Sequence, residues 1–254
     1  MSLAACADLV ERADPLRFRC AMAAPIETQD KLLPLYAFNI EISRAPWVTQ
    51  EPMIAEMRLQ WWRDVVEEMA NGGVVRSHEV VDAVTKVIKE AGVNPMLLDQ
   101  MIAARRWDIY RDAFEDRSHF DEYIDQTAAT LMWVSAQVLG ADVEREQDIR
   151  AFGYGTGIAM MLQAAAELQS RGRIPLIDGT HQGIQSISKE GLLRLRECRP
   201  VGRKIAPALW PGYQTEALLH SAIAQPHRVA DGNLELSEFQ KNWRLLQRQI
   251  LGKA

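Results

Sequence analysis

Cysteine is scarce in this sequence. The three in 254 residues, Cys6, Cys20 and Cys198, are odd in number, far apart, and include no Cys-x-x-Cys pair. That usage excludes a disulfide framework or a cysteine zinc site and suits free thiols in a reducing cytoplasm. Long apolar runs are missing as well. No stretch approaches the roughly 18 apolar residues a membrane span requires. The start, Met-Ser-Leu-Ala-Ala-Cys-Ala-Asp, lacks the basic region and apolar core of a secretory signal. Positive charge is in deficit: 29 Lys and Arg against 34 Asp and Glu give −5, which argues against a nucleic-acid binder. The five histidines, His78, His119, His181, His220 and His227, have no metal-like spacing. Runs of alternating β-branched residues between turns are absent too, and with them the signal for a sheet.

What remains is helical. With 48% apolar and 25% charged residues, the composition is that of an ordinary globular protein. The 3.6-residue period recurs along the whole chain and gives an all-α fold, one helical domain over residues 1–254, with no repeat, low-complexity tract or linker. A first helix is expected over residues 2–13, stopped by Pro15. A second follows Thr28 and ends near Ala45, because Pro46 disfavours helical geometry before it. A third opens at Glu51-Pro52, runs to Ala70 and is closed by Gly72-Gly73. Its i, i+4 row of Met53, Met57, Trp61, Val65 and Met69 is expected to be apolar contact, with Trp62 and Val66 alongside. Ser77 is read as the cap of a helix to Ala91, ended by Gly92, and Asn94-Pro95 as the start of one through Trp107 and Tyr110. Helices over 120–139 and 142–170 follow, then a loop over 173–187 with a turn at Asp178-Gly179. Shorter helices are expected over 188–198, 213–224 and 235–251.

Two stretches carry more than helical pattern. Tyr36-Ala37-Phe38 opens a segment in which Asn39 and Ser43 share a face, and Trp61-Trp62-Arg63 follows on the next helix. Together they resemble the squalene/phytoene synthase family, whose motif there is Tyr-Ala-Phe-x-x-x-x-Asp-Asp-x-x-Asp followed by Trp-Trp-Arg. The resemblance implies a helical bundle around a central cavity, the isoprenoid synthase fold. In that family two aspartate-rich helices face each other and hold Mg²⁺, which holds the substrate diphosphate while an allylic cation forms. Here the three aspartate positions read Ser43, Arg44 and Trp47. Glu41, the nearest acid, lies two residues early and about 200° around the helix. The family's second cluster is placed by its Gly-Arg-Ile landmark, matched by Gly172, Arg173 and Ile174. At that register the aspartates become Ala164 and Leu168, and only Glu167 keeps a charge. A diphosphate-facing arginine of the family corresponds to Gln126.

Loss of nearly every carboxylate from both clusters is a pattern, and removing several metal ligands abolishes useful turnover. The departure is similar to a non-catalytic branch of the family that contains a mitochondrial complex I assembly factor and its bacterial relatives. That branch has Ala-Phe-Asn-x-Glu, matched by Ala37, Phe38, Asn39 and Glu41. It also has Met-Arg-x-Gln-x-Trp, matched by Met57, Arg58, Gln60 and Trp62, and Gly-Ile-x-x-x-Leu-x-Ala, matched by Gly157, Ile158, Leu162 and Ala164. The likeness covers about residues 14–180.

The resemblance implies no catalytic residue and no metal site, Mg²⁺ entering only for a catalytic protein. Its ligand wall would be Tyr36, Phe38, Asn39, Glu41, Arg58, Trp61, Trp62, Arg63, Gln126, Met160, Gln163 and Glu167. Each has a plainer alternative. The tryptophans serve equally as packing core, Arg58 and Arg63 as surface partners of Glu67, and Asn39 and Glu41 as capping or interhelical groups. Gly153-x-Gly155-x-Gly157 mimics a nucleotide fingerprint but has no preceding strand, so close helix packing is the better account. Arg194, Arg196, Arg199, Arg203 and Lys204 are interleaved with leucines, as either a solvated face or a contact for an anionic membrane. Three functions stay open: a non-catalytic isoprenoid- or lipid-binding or respiratory-complex assembly protein, an active head-to-head prenyltransferase, and a helical adaptor with no ligand. The first would be cytoplasmic or peripheral to the inner membrane.

Overall fold

The computed structural model describes residues 3–72 and 76–252. Helices are the only regular structure among the described residues, as the periodicity predicts. The chain divides into two compact units, one of Met1–Tyr110 with Val134–Val143, the other of Arg111–Trp133 with Glu144–Ala254.

In the first unit run α1 (Leu3–Ala13), α2 (Pro15–Met22), α3 (Ile26–Arg44), α4 (Pro52–Ala70), α5 (Val81–Ala91) and α6 (Met96–Ala104). Tight 3₁₀ turns follow α3 and α6, at Ala45–Trp47 and Arg105–Asp108. α1 ends at Ala13, ahead of Pro15 as expected, and a separate helix starts at once. Asp14 accepts a hydrogen bond from the Arg17 backbone N at 3.0 Å and caps α2, with proline at its tolerated first position. An acid before a proline is also a start signal, and the sequence expectation held no helix over α2. α4 keeps its expected ends, but only the C-terminal part of the expected row is inside. Met53 and Met57 are exposed, while Ala55, Leu59, Trp62 and Val66 are buried with Val65 and Met69. An i, i+4 row drifts about 40° per step, so a five-member row wraps across two faces. Ser77 caps nothing, because α5 begins after Val80. Gly92 closes α5 at φ +64°, where a side chain would be strained. Gly72 also turns left-handed after α4, while Gly73 lies outside the described residues. The Asn94 side chain receives the Met96 backbone N at 3.0 Å, but α6 ends at Ala104, short of Tyr110. The core is built from Leu32, Leu35, Leu59, Ile88, Leu98 and Met101.

The second unit holds α7 (Arg117–Ile124), a π-helical turn Asp125–Ala129, the start of α8 (Thr130–Val138), and α9 (Glu146–Ser170). Then come α10 (His181–Glu197), α11 (Ala206–Leu209), α12 (Thr215–Ala224), α13 (His227–Ala230) and α14 (Glu238–Leu251). The continuous helix expected over 120–139 is therefore interrupted. Two threonines take up carbonyls near the wider turn, Thr127 donating to Tyr123 O at 2.6 Å and Thr130 to Asp125 O at 2.9 Å. The loop expected over 173–187 is shorter, since Thr180 caps α10 seven residues earlier than 188. Gly183 and the β-branched Ile184 and Ile187 in His-Gln-Gly-Ile-Gln-Ser-Ile hid that start. The four-residue helices α11 and α13 carried no sequence signal.

The glycine triplet on α9 acts in packing. A Cβ at Gly153 would lie 2.7 Å from Ala129 Cα, and one at Gly157 2.7 Å from Ala128 Cβ, both in the π-turn. A Cβ at Gly155 would lie 2.6 Å from Gly191 O on α10. Every one of these is closer than real Cβ contacts allow, so the bare backbone lets α9 press on two neighbours at once. Gly155→Ala should therefore cost roughly 1–3 kcal/mol through overpacking, read from urea unfolding. Gly179→Ala, with open space around it, should leave the midpoint nearly unchanged. A neutral Gly155→Ala would contradict the packing account.

Candidate functional site

On α3 the first motif turns inward. Tyr36 and Phe38 are 1% exposed. Burial raises the Tyr36 phenol above its ordinary range, although the Arg17 guanidinium, 5.8 Å over its ring, works the other way. Phe38 meets Trp62 edge-on at 5.5 Å, Trp62 meets Trp61 at 5.0 Å, and the His78 ring lies 5.3 Å from Trp62. Three of the expected wall residues are thus one aromatic cluster, and His78 joins it from a segment with no sequence signal. Asn39, 8% exposed, accepts from Arg105 at 3.5 Å, and Arg105 reaches the buried Asp108 at 3.4 Å. Arg105 and Asp108 sit in a 3₁₀ turn that the sequence reading merged into a longer helix, so neither was picked.

Nothing at the first aspartate positions suits a metal. Ser43 donates its hydroxyl to Ile40 O at 3.1 Å, Arg44 pairs with Glu41 at 3.1 Å, and Trp47 is half-buried in the turn after α3. Arg58 is exposed. Arg63 grips Asp99 of α6 through two hydrogen bonds of 2.7 and 3.0 Å, not Glu67 as local spacing suggested.

In the second unit, α9 carries the other cluster. Ala164, Leu168 and Met160 are half-buried. Gln163 donates to Leu234 O at 2.9 Å, and Glu167, 65% exposed on its side chain, pairs with Arg171 at 2.6 Å. Gln126 donates to Glu122 at 2.6 Å. These residues do not line a cleft of about 490 Å³ in this unit, bordered by Asp121, Glu122, Asp125, Arg150, Tyr154 and Arg194. Its charges are already matched. Arg150 bonds Asp125 and, at 3.0 Å, the Thr130 hydroxyl. Arg117 donates to Asp121, Tyr154 and Glu190, and Tyr154 donates to Asp121 at 2.6 Å. Burial works against the Arg117 charge, yet these partners hold its pKa above the ordinary value. Sequence spacing gave no sign of this network, because its members come from α7, α9 and α10.

The basic cluster is partly committed as well. Arg194 lies 5.6 Å over the Tyr154 ring and 3.6 Å from Glu197, and Arg199 joins Arg145 on Asp148. Arg196, Arg203 and Lys204 are exposed. For the Mg²⁺ that the resemblance implies, the donors do not fit. Among the described residues no three His, Cys, Asp or Glu side chains are grouped to hold a metal ion. The two acids left near the motifs, Glu41 and Glu167, are each neutralised by a neighbouring arginine.

The family model for squalene/phytoene synthase matches residues 10–187. The chain belongs to the squalene/phytoene synthase family. The fold agrees: a dehydrosqualene synthase crystal structure superposes with a TM-score of 0.76 at 14% identity, over 98% of this chain and 95% of that one. The squalene synthase HpnC of Alicyclobacillus acidocaldarius gives 0.64 at 16%, over 98% and 94%. This squalene/phytoene synthase-family chain therefore has the isoprenoid synthase fold. It is also similar to a Drosophila melanogaster protein named NADH dehydrogenase (ubiquinone) complex I, assembly factor 6 homolog, 29% identical over 195 residues. That match takes in 74% of this chain but 58% of the fly protein's length. The human protein named complex I assembly factor 6 is 22% identical over 258 residues, covering 93% and 77%.

Asp148 gives a pH prediction. Burial would raise its carboxyl, but hydrogen bonds from Arg145 and Arg199 outweigh that and hold it below the ordinary value. A depressed carboxylate pKa stabilises the fold above the unfolded value, and the contribution is lost as pH falls through the folded one. Asp148→Asn should cost about 1–3 kcal/mol near neutrality, in urea titrations. The gap from the parent protein should narrow as pH is lowered through the aspartate range. A gap independent of pH would rule this out.

Proposed function

We propose that this chain is a non-catalytic squalene/phytoene synthase-family protein that serves in the assembly of a respiratory NADH dehydrogenase. An isoprenoid or lipid held in its fold would be bound and not turned over, with no metal cofactor. The observation that carries this reading is the state of the acids. At the family's aspartate positions stand Ser43, Arg44, Trp47, Ala164 and Leu168, and the nearest carboxylates, Glu41 and Glu167, are tied to Arg44 and Arg171. A diphosphate leaving group needs its charge neutralised by metal held on carboxylates, and this donor set holds none. The relatives named as complex I assembly factors support the role from a different direction.

An active head-to-head prenyltransferase is the rival. Purified protein given farnesyl or geranylgeranyl diphosphate with Mg²⁺ or Mn²⁺ should form no condensation product. Deleting the gene in its source cell should lower assembled NADH dehydrogenase, and a gene encoding Glu41→Ala with Glu167→Ala should restore it fully. Multiple turnovers that vanish in that double variant would overturn the non-catalytic reading. Normal NADH dehydrogenase levels after deletion would overturn the assembly role.

A further inference from the structure

α14 is built with its apolar side outward. Phe239, Trp243, Leu246 and Ile250 are 77%, 51%, 44% and 67% exposed. At about 100° per residue these four fall within about 60° of one another. The half-buried positions Lys241, Arg244, Leu245 and Arg248 centre on the opposite side, which is the side that packs on the unit. Its charges are used there. Lys241 pairs with Glu238 at 2.8 Å and Glu235 at 3.7 Å, and Arg244 and Arg248 are half-buried on the same side. Folding of the single chain explains the inward face and leaves the outward stripe with no partner among the described residues. The helix has defined ends, with a capping box of Ser237 and Gln240 at its start and Gly252 at φ +61° closing it.

The stripe specifies what covers it. The spacing 239, 243, 246, 250 is a strict a/d seam, the narrow form used by paired helices rather than a broad lipid-facing surface. Its flanks, Gln240, Asn242, Gln247 and Gln249, are all amides. An interfacial lipid-binding helix carries cations beside its apolar face, and here the cations turn inward. The order is also symmetric about the helix midpoint. Reversed, it again places apolar residues opposite apolar ones and amides opposite amides. That is the property a two-fold interface demands, since one patch must complement itself. Amide flanks meet their copies with no like-charge repulsion.

We propose that α14 is a self-association seam, by which two copies of this chain pack antiparallel about a two-fold axis through the helix midpoint. Phe239 meets the partner's Ile250, and Trp243 meets the partner's Leu246. A single helix pair lies at the small end of specific interfaces, so the dimer dissociates on dilution. This inference is independent of the assembly role.

Sedimentation velocity over a hundredfold range of concentration should show a reversible monomer–dimer equilibrium. Trp243→Glu or Leu246→Lys alone should weaken it at least tenfold. The far-ultraviolet spectrum should stay unchanged, and so should the unfolding midpoint at concentrations where the parent protein is monomeric, because the stripe faces outward. Mixing the Trp243→Glu and Leu246→Lys proteins should restore a heterodimer, since those positions face each other only in the antiparallel register. A parent protein monomeric throughout, or a dimer indifferent to both variants, would overturn the proposal. So would a monomer that binds phosphatidylglycerol vesicles through Trp243, which would assign the stripe to lipid.

Discussion

The close approach of α9 to its neighbours, with bare backbone at Gly153, Gly155 and Gly157, is the constraint on which the second unit depends. Because no side chain intervenes, α9 touches the π-turn and α10 together, and the positions along it are fixed in rotation. That rotation sets Arg150 and Tyr154 into the polar cleft and gives Asp148 to Arg145 and Arg199. About two and three turns beyond Gly157, the same helix offers Ala164 and Leu168 where the resemblance to the family's enzymes places carboxylates. The scaffold that would aim metal ligands is thus retained without the ligands.

Charge in this protein is arranged to cancel locally. Glu41 and Glu167 have arginines one turn away, Arg63 has Asp99, and the cleft carboxylates are answered by Arg117 and Arg150. A site that binds Mg²⁺ and diphosphate needs the reverse, a surplus of unneutralised carboxylate held close together. Exposed pairs of this kind contribute little to stability, so their consequence is for chemistry: each removes a donor from availability. Apolar surface is treated differently. Phe38, Trp61 and Trp62 are drawn into one cluster in the first unit, held by edge-on contacts that need no metal.

Much of this was legible from the residues. Gly92 closes α5 and Pro52 opens α4 because backbone chemistry leaves those residues few alternatives. The glycine triplet was legible as packing, since no strand precedes it. What escaped was set by tertiary contact. The row from Met53 to Met69 was taken along i, i+4 spacing, and only the neighbours of α4 decide which part of that drifting row is inside. Arg63 had a plausible local partner in Glu67 and chose Asp99, 36 residues away, for two aligned hydrogen bonds. The start of α10 was hidden by residues of poor helix propensity that its packing overrides. Arg105 and Asp108 were missed because a 3₁₀ turn carries no periodic signature.

On the proposed reading, diphosphate is no longer recognised through a metal, and an isoprenoid would be held by burial of its hydrocarbon alone. Burying hydrocarbon contributes on the order of 25 cal/mol per Å² whether or not metal is present, whereas an unneutralised diphosphate is costly to desolvate. Calorimetric titration with farnesol and with farnesyl diphosphate, each with and without Mg²⁺, separates the two. Mg²⁺ should leave both isotherms unchanged, and the diphosphate should bind no more tightly than the alcohol. Tight, Mg²⁺-dependent binding of the diphosphate would mean that a working metal site survives, and would contradict that reading.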